Sequence, residues 1–147
     1  MKPVLLSLLV ACSTACAQPA APVAVEGAWA RSAIPQQGST GAYMTLVARE
    51  PLTLVGAETP AAGIVEIHEM RMEGDVMKMR AADTLPLAPG KPLELKPGGF
   101  HFMLMDLQTV FKAGSQIRMT LNFVDAKGTP KKVAVSVPVA AAAPARR

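Results

Sequence analysis

The sequence predicts an all-β domain, an antiparallel β-sandwich or Greek-key barrel, on three observations. Short segments rich in apolar and β-branched residues alternate in character. Turn residues separate them at steady intervals. Helices have almost no room between those turns, and many short strands at such spacing are the mark of sandwiches and barrels.

Met1 to Ala17 carries Lys2 and then the apolar run Val4 to Val10, followed by small residues. This is the layout of a secretory signal, and the run is too short to span a bilayer. Two processing readings stay open. Ala15-Cys16-Ala17 fits a small-residue cleavage site, whereas Leu9-Val10-Ala11-Cys12 fits a lipoprotein box in which Cys12 is lipidated. Residues 18–24 read as a Pro/Ala-rich linker, 25–138 as the domain, and 139–147 as a disordered Ala/Pro tail. At 147 residues, with half of them hydrophobic and no internal repeat, the chain supports one core.

Within the domain, strands are expected over Gly41 to Ala48, Ile64 to Met72, Val76 to Ala82, Phe100 to Leu107, Gln116 to Val124 and Lys132 to Val137. Turns are expected at Pro35 to Ser39, Glu73-Gly74-Asp75, Pro89-Gly90, Pro97-Gly98-Gly99, Ala113-Gly114-Ser115 and Lys127-Gly128. A helical turn is expected near Pro60 to Gly63.

Composition removes several function classes. The net charge of +4 includes Lys2, Arg146 and Arg147, and no Lys/Arg cluster is interleaved with aromatics, so no nucleic-acid partner is expected. Both cysteines, Cys12 and Cys16, lie in the signal region. The domain therefore has no thiol for a disulfide, a redox pair, a nucleophile or a Cys-ligated metal, a blue-copper centre included. With two histidines and no nucleophile elbow, an enzyme is not expected.

The chemistry lies between residues 68 and 105, which hold six of the nine methionines and both histidines. Side chains alternate faces along a strand. His68, Met70 and Met72 thus share a face, as do Met77 and Met79, and His101, Met103 and Met105. A two-residue turn at Glu73-Gly74 sets His68 opposite Met79, and one at Gly74-Asp75 sets Met70 opposite Met79. The registers differ by two residues, so either one keeps His68, Met70 and Met79 on one surface. Phe100, Phe102 and Leu104 take the opposite face, the better core face.

A single strand methionine is most often core filler, and a single histidine most often a hydrogen-bonded structural residue. The clustering shifts that balance. Thioether and imidazole are neutral soft-to-borderline donors that select Cu(I) over harder ions, and a thioether is not lost to a disulfide in an oxidising compartment. The carboxylates Glu66, Glu69, Glu73 and Asp75 beside the hairpin read as solvated or ion-paired surface charges.

These residues resemble the PCu(A)C family of periplasmic copper chaperones, whose signature is a histidine, ten residues, a methionine, twenty-one residues, then His-x-Met. His68, Met79, His101 and Met103 reproduce that spacing. The likeness covers about residues 25 to 138, including IHEM, VMKM, LKPGGFHFMLM and Trp29-Ala30-Arg31. It implies a cupredoxin-like fold and one exposed Cu(I) site made by His68, Met79, His101 and Met103; Met70 and Met105, which share faces with these residues, are candidate alternate ligands outside that signature. It further implies delivery of copper to the Cu(A) centre of cytochrome c oxidase subunit II, alongside a Sco-type protein. The expected state is a periplasmic monomer that meets a membrane only through a lipid on Cys12. A His/Met-rich tail that takes a second copper in some relatives has no counterpart here.

Overall fold

A computed structural model of the chain describes residues 20–145. The signal segment, with Cys12 and Cys16, lies outside the described residues. The fold is all-β: β1 (Val23–Arg31), β2 (Ser39–Ala48), β3 (Leu52–Glu58), β4 (Ala62–Glu73), β5 (Val76–Ala81), β6 (Leu85–Leu87), β7 (Pro92–Leu95), β8 (Phe100–Leu107), β9 (Gln116–Asp125) and β10 (Pro130–Ala140).

The six segments expected as strands are β2, β4, β5, β8, β9 and β10, with ends moved by at most three residues. The other four escaped the alternation rule for local reasons. In β1 the register shifts between Glu26 and Trp29, where Gly27 takes φ +58°. In β3 it shifts between Leu54 and Gly56. Each bulge resets the two-residue period. β6 (LPL) and β7 (PLEL) are too short, and too rich in proline, to show a period.

Three local expectations are corrected. No helical turn forms at Pro60 to Gly63, because β4 already begins at Ala62 after a tight turn. The Thr59 hydroxyl fixes that turn, donating to the Arg118 carbonyl on β9 and accepting from the Ala61 amide. The linker loses Val23 and Ala24 to β1, and the tail loses Val139 and Ala140 to β10. These ends are ordered by tertiary pairing: Ala30 and Arg31 lie beside Val139 and Ala140 in a parallel seam, and Val23 and Val139 are buried.

Pairing runs β5-β4-β8-β2-β1-β10-β9-β3-β6, with β7 also on β2, and every pair except β1–β10 is antiparallel. The two halves close over one core. Ile67 of β4, Phe102 and Leu104 of β8, and Ala42, Met44 and Leu46 of β2 form one side. Leu52 and Leu54 of β3, Met119, Leu121 and Phe123 of β9, and Val133 and Val137 of β10 form the other. This is the expected sandwich, and apolar burial is the main term that holds it together.

Phe102 is wholly buried directly between His101 and Met103 in sequence. Phe102→Ala is expected to cost about 3–5 kcal/mol, measured as a fall in the urea midpoint; a change near zero would mean that β8 does not anchor the sandwich.

Candidate metal site

The site is built by one register. β4 and β8 run antiparallel with Ile67 opposite Phe102, His68 opposite His101, Glu66 opposite Met103 and Ile64 opposite Met105. Since Ile67 and Phe102 point into the core, alternation sends His68, His101, Met103 and Met105 to the outer face. The β4–β5 turn falls at Gly74-Asp75, and of these two only Gly74 (φ +63°) takes a positive φ. That is the II′ hairpin pattern. It sets Met70 opposite Met79 and His68 opposite Ala81, deciding between the two registers left open by the sequence. Met79 is therefore diagonal to His68, a separation that a long side chain spans.

On the same outer face an aromatic row crosses four strands. Trp29 and Tyr43 have ring centroids 4.7 Å apart, Tyr43 and His101 6.1 Å, and His68 and His101 5.9 Å in an edge-on arrangement. His101 is 3% exposed beneath this row, whereas His68 is only partly covered. The Tyr43 hydroxyl lies over Gly41, where any Cβ would collide with it, and Gly41 is the residue paired with Met103. Tyr43 was missed from sequence. Its signal was its parity, opposite to that of the core residues Ala42 and Met44.

Hydrogen bonding fixes which ring nitrogens are free. His101 Nδ1 lies 3.1 Å from the Gly99 carbonyl, and a carbonyl only accepts, so Nδ1 carries the proton and Nε2 keeps its lone pair. His68 Nε2 lies 2.8 Å from a Glu66 carboxylate oxygen. A carboxylate likewise accepts, so Nε2 donates and Nδ1 keeps the lone pair. That His68 Nδ1 is one of two buried side-chain polar atoms without a partner among the described residues. A buried unpaired acceptor is costly unless something occupies it. An ion about 2 Å from a ring nitrogen sits roughly 3 Å from that ring's centroid, so rings sharing one ion have centroids within roughly 6 Å. The His68–His101 pair meets that limit.

Glu66, read from sequence as a solvated or ion-paired surface charge, is half exposed and pairs with His68. Its contact with His68 is the arrangement by which carboxylates orient metal-binding imidazoles. Glu69 and Glu73 are as expected, ion-paired with Arg80 and Lys78, exposed contacts that contribute little stability.

The methionines divide by burial. Met44 and Met119, outside the cluster, are 2% and 1% exposed and fill the core. Within it Met70, Met103 and Met105 are partly exposed, and Met79 is 47% exposed. Met103 follows His101 on the outer face, Met105 lies one step beyond opposite Ile64, and Met70 lies beside Met79. Among the described residues no three His, Cys, Asp or Glu side chains form a metal-holding group. Register and alternation set the thioethers of Met70, Met79, Met103 and Met105 on the face of the two imidazoles, as soft donors to join them.

Burial holds the His101 pKa below the ordinary imidazole value, and the nearby His68 adds to the shift against the opposing effect of the Gly99 carbonyl. The ring thus stays neutral and ready to donate into mildly acidic solution. The unfolded chain, with the higher pKa, binds the proton first, so stability is complete above about pH 6.5 and falls as pH drops from there toward the folded pKa. The metal-free wild type should lose more of its urea midpoint between pH 7.5 and 5.5 than His101→Gln does; equal losses would remove His101 as the cause.

Residues 23–139 match the family model described as "Putative lipoprotein LpqE-like". The chain is 33% identical over 120 residues to "Putative lipoprotein Lxx21020" of Leifsonia xyli, covering 80% of this chain and 69% of that protein. Apo-DR1885 from Deinococcus radiodurans superposes with a TM-score of 0.60 at 30% identity, covering 95% of this chain and 96% of that one. Its Cu(I) form gives 0.56 at 32% identity, covering 86% and 81%. The copper-bound PCuAC domain of PmoF2 gives 0.65 at 23% identity, covering 85% and 97%, a likeness of fold.

Proposed function

We propose, from the premise that this chain belongs to the LpqE-like lipoprotein family, that it is an exported metallochaperone binding one Cu(I) through His68, Met79, His101 and Met103. The observation that carries the reading is the His68–His101 pair, with one lone pair left on each ring and thioethers beside them on the same face. The Cu(I) form solved for DR1885 and the copper-bound PmoF2 domain support it.

All four donors are neutral, and this suits Cu(I), a soft ion whose release then leaves no buried charge behind. Glu66 and the Gly99 carbonyl hold the two rings in their donating tautomers, while Met79, half exposed, closes the ion from the solvent side. Handover is ligand exchange: an acceptor's donors replace the protein's one at a time, copper stays Cu(I), and each acceptor thiol that takes it up releases its proton to water. The acceptor is the Cu(A)-bearing subunit of cytochrome c oxidase, served together with a Sco-type thiol protein. The chaperone works as a periplasmic monomer, held at the membrane by a lipid on Cys12, and it catalyses no reaction.

Competition titration with a strong Cu(I) chelator should give one tightly held equivalent per chain. His101→Ala and Met103→Ala should each weaken binding at least tenfold, or about 1.4 kcal/mol; wild-type affinity in both variants would refute the site. Deleting the gene should lower oxidase activity under copper limitation. Normal oxidase activity with poor growth at high copper would assign the protein to copper buffering instead.

A further inference from the structure

We infer that the β4–β5 hairpin carries a second, weaker soft-metal site, formed by Met72 and Met77 at its tip with Met70 behind them, through which Cu(I) reaches the His68–His101 pair. This deepens the chaperone reading and rests on it. Met72 lies directly opposite Met77, and Met70 directly opposite Met79. Alternation places all four on the face that holds His68. Two thioether pairs thus continue the row of donors from the imidazoles toward the turn at Gly74-Asp75.

Packing does not account for them. Every residue of β5 is exposed, with Met72 at 57% and Met77 at 49%. The hairpin's opposite face is largely charged, with Arg71 opposite Lys78 and Glu69 opposite Arg80, and Met72, Met77 and Met79 are about half exposed, so the thioether face covers no core at the tip. Nor does strand propensity explain them, since β-branched and aromatic residues suit an exposed strand better than methionine. Met72, Met77 and Met79 are exposed together on one face of the hairpin, and contiguous exposed apolar side chains mark binding sites.

Geometry suits a soft monovalent ion. Directly opposed residues hold their Cβ atoms about 5 Å apart, and Met70 follows Met72 on the same face at roughly 7 Å along the strand. Each side chain has three rotatable bonds, so three sulfurs can close on one ion. The tip has no imidazole and faces water, so its affinity lies below that of the His/Met site. An ion caught there moves inward by exchange, Met77 giving way to Met79 and Met72 to His68. Each exchange swaps one neutral donor for another.

The test uses the full chain carrying Cys12→Ser and Cys16→Ser, so that no thiol competes for a soft ion, with 13C-methyl methionine, titrated with Ag(I), a soft stand-in that does not oxidise in air. The Met79 and Met103 methyl signals should shift over the first equivalent, and those of Met72 and Met77 over the second. A Met72→Leu/Met77→Leu variant, which keeps the exposed face apolar, should retain the Met79 and Met103 response, bind one Ag(I) in place of two, and load Cu(I) from a weak small-molecule donor several-fold more slowly. Response at Met79 and Met103 with silence at Met72 and Met77 through two equivalents would overturn the hairpin site alone. Silence at all four would sink the His/Met site and the hairpin site together.

Discussion

The pairing of β4 with β8 in the one register that sets His68 against His101 is the constraint from which the rest of the site follows. Slipping either strand by one residue would send its imidazole into the sandwich and its core residue into water. The core enforces the register. Ile67 and Phe102 occupy adjacent positions, bury completely or nearly so, and face each other across the same two strands. Hydrophobic burial thus positions two polar rings that contribute little to the core themselves.

From that pair the chemistry is assembled by neighbours. The Gly99 carbonyl and the Glu66 carboxylate each accept a hydrogen bond from one ring N–H, which leaves one lone pair per ring. Trp29 and Tyr43 extend the row across β1 and β2 and keep His101 dry. Glycine at position 41, the partner of Met103 across β2 and β8, leaves room for the Tyr43 ring and hydroxyl. The methionines then supply soft donors from a surface that asks nothing of them in packing, unlike Met44 and Met119, which fill the core. One residue type serves two purposes, separated by burial.

The hairpin adds a gradient. Donors pass from exposed thioethers at the tip, through the half-exposed Met79, to a His101 that is almost fully covered. On the proposed reading, affinity for a soft ion would rise along that path as imidazole joins thioether and water is excluded. A carrier that must both collect and surrender its cargo needs such a graded approach.

The sequence by itself determined the fold class, six of the ten strands and the face shared by the histidines and methionines, because side-chain parity and hydrophobic alternation are local properties of the chain. It could not choose between the two hairpin registers, which differ by two residues and so look alike in parity; the backbone at Gly74 decided that. It did not find β1, β3, β6 and β7, whose periods are broken by bulges and proline and which become strands only by pairing with neighbours. Nor could it see Glu66 against His68, Tyr43 over Gly41, or the orphaned nitrogen of His68. Those depend on which residues stand opposite one another across strands distant in the chain, a matter that only the packing of the two halves around one core settles.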